Sequence, residues 1–137
     1  KLIDLFENFL LFDDSAGDVA KIVAKNHQYL GVNKALDKMS NADSLDDLKN
    51  KLGVFWHTQG SGKSFSMVFL SQKIHRKFSG SFTILIVVDR SELENQIYDT
   101  YTAVGAVTEE NLIAKSREDL RNLLQVNHRY VFTIIHK

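Results

Sequence analysis

The sequence contains no cysteine, which excludes disulfides and thiolate metal sites and permits a reducing compartment. Its five histidines have no zinc-ligand spacing, so no protein metal site is expected. Charge of one sign is also lacking: 17 basic and 17 acidic residues cancel to a net charge of zero. Composition therefore carries no electrostatic footprint for nucleic acid, and any DNA contact must come from a local cluster or from a part outside this chain. No apolar run approaches a membrane span; the longest, Phe82 to Val88, has the length of a strand. Asp4, Glu7 and Asp13 interrupt the apolar residues at the start, leaving no secretory signal. What is present is ordinary for a globular chain, with 44% hydrophobic and 25% charged among 137 residues, enough for one domain with a modest core.

The stretch with the most chemistry is Gly53-Val-Phe-Trp-His-Thr-Gln-Gly-Ser-Gly-Lys-Ser64. It reads as a strand running into a glycine-rich loop and then a helix, the order required of a phosphate-binding P-loop (Walker A). Triphosphates carry dense negative charge, so backbone N–H groups must approach them closely, and glycines permit that approach and the positive φ angles it needs. The helix starting near Lys63 adds free N–H groups and a partial positive charge. Lys63 would reach the β- and γ-phosphates, and the Ser64 hydroxyl would ligate Mg²⁺. His57 stands where the general pattern asks for the first glycine.

Residues 2–12 form a broad apolar helical face through Leu2, Ile3, Leu5, Phe6, Phe9, Leu10 and Phe12. Asp13 to Gly17 breaks it and can cap a short helix carrying Val19, Ile22 and Val23. Val32, Ala35, Leu36 and Met39 mark an amphipathic helix over Gly31 to Met39, and Ser40 to Ser44 a turn, with one helical turn over Leu45 to Leu48. After the P-loop, Phe65, Met67, Val68, Phe69, Leu70 and Ile74 predict a deeply buried helix. Its basic end (Lys73, His75, Arg76, Lys77) complements the helix C-terminus. Phe82 to Val88 predicts a strand covered on both faces. Leu93, Ile97 and Tyr101 predict a helix; Val104 to Val107 suggests a brief strand, and 108–114 is ambiguous. Ser116 caps a helix through Leu124, and Tyr130 to Ile135 is a final strand. Strands at about 50–56, 82–88, 104–107 and 130–135 alternate with helices, which implies an α/β fold with a mostly parallel sheet flanked by helices. Ligands in such sheets bind beyond the carboxyl ends of the strands, where the P-loop, Asp89-Arg90 and His136-Lys137 fall.

Three separated stretches resemble one family together. Phe55-Trp-His-Thr-Gln-Gly-Ser-Gly-Lys-Ser64, Val87-Val-Asp-Arg-Ser-Glu-Leu-Glu-Asn-Gln96 and Phe132-Thr-Ile-Ile-His-Lys137 resemble the first three helicase motifs of the R subunits of type I restriction enzymes, superfamily-2 DNA translocases. A histidine at the first glycine position is what that family's loop carries. His27 to Ala35 also resembles the family's segment before the motor core.

The resemblance implies a P-loop NTPase of RecA-like form, a three-layer sandwich preceded by an N-terminal helical segment. Residues 1–49 would be the helical lead-in and 50–137 the N-terminal part of the first motor lobe, an incomplete domain. It implies ATP and Mg²⁺ as ligands, held by the loop Thr58, Gln59, Gly60, Ser61, Gly62, Lys63 and Ser64, with Gln28 reading the adenine edge. It implies duplex DNA as substrate, contacted by Asp89, Arg90, Ser91, Thr133 and Lys137, and methyltransferase and specificity subunits as cytoplasmic partners, with no membrane. No Asp-Glu pair of Walker B type follows a strand, and the last motif stops at Lys137, so the chain alone is expected not to turn ATP over. Another P-loop ATPase, or a non-catalytic nucleotide-dependent interaction module, are the alternatives.

Overall fold

The computed structural model describes residues 1–41 and 53–136. Residues 42–44 of the turn expected over Ser40 to Ser44, the helical turn expected over Leu45 to Leu48, Leu52 and the candidate DNA contact Lys137 lie outside them. The elements are α1 (Leu2–Asn8), β1 (Leu10–Asp13), β2 (Ala20–Val23), α2 (Asn26–Ser40), α3 (Lys63–Lys77), β3 (Ile84–Val88), α4 (Ser91–Ala103), α5 (Arg117–Gln125) and β4 (Tyr130–Ile134). The chain divides into two compact units, one of Lys1–Leu11 with Lys21–Lys77, the other of Phe12–Ala20 with Phe78–Lys137.

Near the start of the chain the expected apolar helix ends early. α1 stops at Asn8, and the chain turns into the two-stranded sheet β1–β2. The helix expected over Val19, Ile22 and Val23 is strand β2. The cause lies in the turn: the Asp13 carboxylate accepts from Ser15 N (3.0 Å) and Ser15 Oγ (2.6 Å), and Gly17 takes φ +90°. Asp13 thus folds a hairpin instead of capping a helix. The Ser15 hydroxyl and N–H together hold its carboxyl below the ordinary range.

α2 turns Gln28, Val32 and Leu36 inward, one residue per turn of a single stripe, and packs on α3, whose Val68 and Phe69 are buried. Phe9 closes this core, with ring centroids 4.7 Å from Tyr29 and 5.7 Å from Phe69; each such fully buried side chain contributes roughly 1.5–3 kcal/mol. Lys73 is not the solvated helix-end lysine that its neighbourhood suggests. It is buried, ion-paired with Asp4 and hydrogen-bonded to Asn33 Oδ1 at 2.7 Å, with its ammonium 4.7 Å from the Phe9 ring centroid. One buried cation therefore ties α1 and α2 to the helix that follows the glycine-rich loop. Burial of Asp4 opposes its ionisation, but hydrogen bonds from Lys73, Asn8 and Tyr29 and the Lys73 charge outweigh it, and the carboxyl sits below its ordinary range.

The strand expected at 50–56 is not formed over 53–56. Val54 and Trp56 are exposed, at 83% and 90%, and the segment has no ladder partner among the described residues, so its backbone remains irregular.

In the second unit β3 and β4 pair in parallel, Ile84 opposite Tyr130 through Val88 opposite Ile134. α4 covers one face with Ile97 and Tyr101, and Tyr101 meets Tyr130 and Phe132 edge-on at 5.3 and 5.4 Å. Leu85 and Val87, on the other face, are exposed. β3 is thus open on that face, not covered on both sides as its apolar run predicts, whereas its neighbour β4 is buried from Tyr130 through Thr133. The strand expected at 104–107 is absent because its N–H groups finish α4: Gly105 N donates to Thr102 O, and Ala106 N and Val107 N to Tyr101 O. Ile113 instead forms a parallel bridge with Phe132, through Phe132 N to Leu112 O (2.8 Å) and Ala114 N to Phe132 O (2.9 Å). Ser116 caps α5 as its sequence predicts, its hydroxyl accepting from Asp119 N at 3.1 Å. No helix among the described residues is long and apolar enough to cross a membrane.

Candidate functional site

The glycine-rich loop lies in the first unit, between the irregular 53–58 segment and α3. Gly60 and Gly62 take φ of +77° and +87°, the left-handed region that L side chains rarely adopt. Ser61 N donates to Thr58 O (3.3 Å), closing the turn. Ser66 N makes the first helical bond, to Gly62 O at 3.0 Å. By helix geometry the N–H groups of Gly62, Lys63, Ser64 and Phe65 then have no intrahelical acceptor.

Lys63 curls back into its own loop. Its ammonium donates to His57 O (2.9 Å) and Thr58 O (3.0 Å). Both bonds are to neutral carbonyls, which an anionic oxygen outcompetes, since charge-assisted bonds are roughly twice as strong. The His57 carbonyl thus has a job at the first-glycine position, one that the generic pattern does not reveal. Two buried polar atoms of the loop, Ser61 Oγ and His57 Nδ1, have no hydrogen-bond partner. Orphaned polar groups of this kind are costly in a closed core and suit a loop built to receive a polar ligand.

α2 brings Gln28 onto this loop. Its amide Nε2 donates to Gly62 O at 2.8 Å, and its Oε1 accepts from Lys25 N at 2.7 Å. The side chain is 3% exposed, and both ends of the amide are engaged. Gly62 must lack a side chain for this contact, because a Cβ there would lie 2.8 Å from Gln28 Nε2. Similarly, a Cβ on Gly31 would meet the Phe55 ring at 2.6 Å, so glycine lets Phe55 seat on α2.

The other candidate residues lie in the second unit. Asp89 and Arg90 are exposed at the carboxyl end of β3 and pair with each other at 3.5 Å. Exposed pairs of this kind contribute little to stability. Ser91 is exposed and opens α4. Thr133 is buried in β4 opposite Val87, so its side chain does not face solvent. Ile135 N bonds Val88 O at 2.8 Å, which sets the Asp89-Arg90 turn and Ile135-His136 at one end of this sheet. Gln28 and the loop are therefore brought together in one unit, and the Asp89 to Ser91 turn belongs to the other.

Residues 27–137 match the SWI2/SNF2 ATPase family. Over 99% of its length the chain is 38% identical to the type I restriction enzyme HindI endonuclease subunit of Haemophilus influenzae. Over 91% it is 35% identical to the putative type I restriction enzyme MjaVIIIP endonuclease subunit of Methanocaldococcus jannaschii. It spans 13% of the length of each of these relatives. Their names agree with the resemblance carried by the three motifs.

Proposed function

The chain belongs to the SWI2/SNF2 ATPase family, and on that premise we propose that it is the ATP-binding part of a DNA-translocating motor in a type I restriction enzyme. The observation that carries the reading is the loop itself, with left-handed Gly60 and Gly62, orphan N–H groups at the start of α3, and a lysine parked on its own loop carbonyls. The unpartnered Ser61 Oγ and His57 Nδ1 fit a triphosphate as polar ligand. Thr58, Gln59, Gly60, Ser61, Gly62 and Lys63 would hold its phosphates, and Ser64 would ligate Mg²⁺, whose charge neutralises phosphate oxygens when bound. Gln28 would read the adenine edge, an amide being able both to donate and to accept. Because that amide is tied to Lys25 N and Gly62 O, base recognition would compete with a loop contact and so be coupled to loop shape.

Translocation, the duplex DNA substrate, the methyltransferase and specificity partners, and a cytoplasmic location are parts of this proposal. So is a DNA-backbone role for Asp89, Arg90 and Ser91, which the exposed turn at the end of β3 supports, and for Lys137; the side chain of Thr133, buried in β4, does not face solvent for such a contact. Residues 1–49 would be the lead-in and 50–137 the motor-lobe part.

The test is ATP hydrolysis by the full-length native polypeptide that carries this chain, with and without duplex DNA, partner subunits added in parallel. Hydrolysis that requires duplex DNA and disappears in Lys63→Ala is expected. DNA-indifferent hydrolysis would point to another P-loop ATPase, and nucleotide binding with no hydrolysis under any condition to a non-catalytic module.

A further inference from the structure

We propose that His27 is a positioning residue of the phosphate-binding loop: with Gln28, it sets the direction in which two loop N–H groups face. The inference deepens the nucleotide-binding reading of this loop and rests on it.

His27 Nε2 lies 3.1 Å from Ser61 O. A carbonyl oxygen only accepts, so Nε2 carries the proton and donates. The next residue, Gln28, donates to the next carbonyl, Gly62 O, at 2.8 Å. Two consecutive side chains of α2 thus hold two consecutive carbonyls of the loop. No peptide bond among the described residues is cis, and in a trans unit the C=O of one residue and the N–H of the next point in opposite directions. Anchoring Ser61 O and Gly62 O on α2 therefore turns the N–H groups of Gly62 and Lys63 away from α2. Consecutive N–H groups at a helix start, turned the same way, are the groups that bind an anion.

The two anchors are not equivalent. Gly62 O also accepts the first helical bond of α3, from Ser66 N, so the helix itself aims that carbonyl. Ser61 O precedes the helix, and Ser61 sits between two glycines in left-handed backbone, where a peptide plane rotates at little steric cost. The His27 ring supplies the donor that stops this rotation. His57 packs edge-on against it, centroids 4.6 Å apart and planes at 80°, while the His57 carbonyl holds Lys63. The His27 side chain is exposed, so its removal leaves the core intact.

The experiment measures binding of ATP, GTP and inorganic tripolyphosphate to the full chain, wild type against His27→Ala and His27→Gln. Loss of one orienting hydrogen bond should weaken ATP and tripolyphosphate by the same factor, roughly three- to tenfold. The ATP-to-GTP ratio and the melting temperature without ligand should stay unchanged, and His27→Gln, which keeps an N–H donor, should recover most of the affinity. Wild-type affinity in His27→Ala overturns the inference and leaves the nucleotide reading standing. So does a changed ATP-to-GTP ratio with tripolyphosphate unaffected, which would assign His27 to the base, or a lowered melting temperature with no rescue by glutamine, which would make its role merely structural. Failure of the wild type to bind any of the three ligands overturns the nucleotide reading itself.

Discussion

Replacing Gly62 with alanine probes the contact between α2 and the glycine-rich loop. An L residue at the φ of +87° found here pays about 1–2 kcal/mol of backbone strain. The new Cβ would also lie 2.8 Å from Gln28 Nε2 and 3.8 Å from its Cδ. That amide ends a flexible side chain, but it is buried and tied at both ends, to Lys25 N at 2.7 Å and Gly62 O at 2.8 Å. Displacing it forfeits both bonds, about 0.5–1.5 kcal/mol each. Gly62→Ala should therefore cost roughly 2–5 kcal/mol, a fall in melting temperature on the order of 10 °C. Urea unfolding of a double-mutant cycle separates the two causes. With Gln28→Ala in the background no amide is displaced, and the same substitution should cost only the strain, about 1–2 kcal/mol. Equal costs in the two backgrounds would refute the seating of Gln28 against Gly62.

Gly31→Ala should destabilise although alanine ordinarily improves a helix by about 1 kcal/mol, because its Cβ would meet Phe55 at 2.6 Å and overpacking costs about 1–3 kcal/mol. A raised melting temperature would show that Phe55 does not seat there. Asp4→Asn strips the buried Lys73 of its counter-charge and should cost roughly 1–3 kcal/mol at neutral pH, below the figure for a fully buried pair because Asp4 is partly exposed. The Asp4 pKa is lowered from 3.8 on folding, so its contribution is complete above that value and is lost as pH falls through the folded pKa. The wild type should lose stability over that acid range more steeply than Asp4→Asn, and parallel pH profiles would contradict the assignment. Ser116→Ala removes the acceptor of Asp119 N and should cost about 1 kcal/mol, read as a lower urea midpoint with faster amide exchange at the start of α5.

Local pattern made much of the chain legible. α2, α3, α4 and α5 follow from apolar spacing and the Ser116 cap, β3 and β4 from short β-branched runs, and the turn before α3 from its glycines. The misses share a cause. Phe9, Leu10 and Phe12 suit a helical face as well as a strand, and only the Asp13–Ser15 bonds decide for the hairpin. Val104 to Val107 is apolar enough for a strand, yet its N–H groups are spent on the end of α4. Lys73 looks like any basic residue near a helix end until Asp4, 69 positions away, is placed beside it.

By itself, then, the sequence determined α2 to α5, the two paired strands and the place of the glycine-rich loop before α3, because periodicity and glycine placement act over a few neighbouring residues. Only the tertiary structure decided what grips that loop. His27 with Ser61 and Gln28 with Gly62 are each 34 positions apart, and no local preference encodes their meeting. It follows from the packing of α2 on α3, which depends on Phe9, Val32 and Phe69 sharing one core and on the side chains that Gly31 and Gly62 lack.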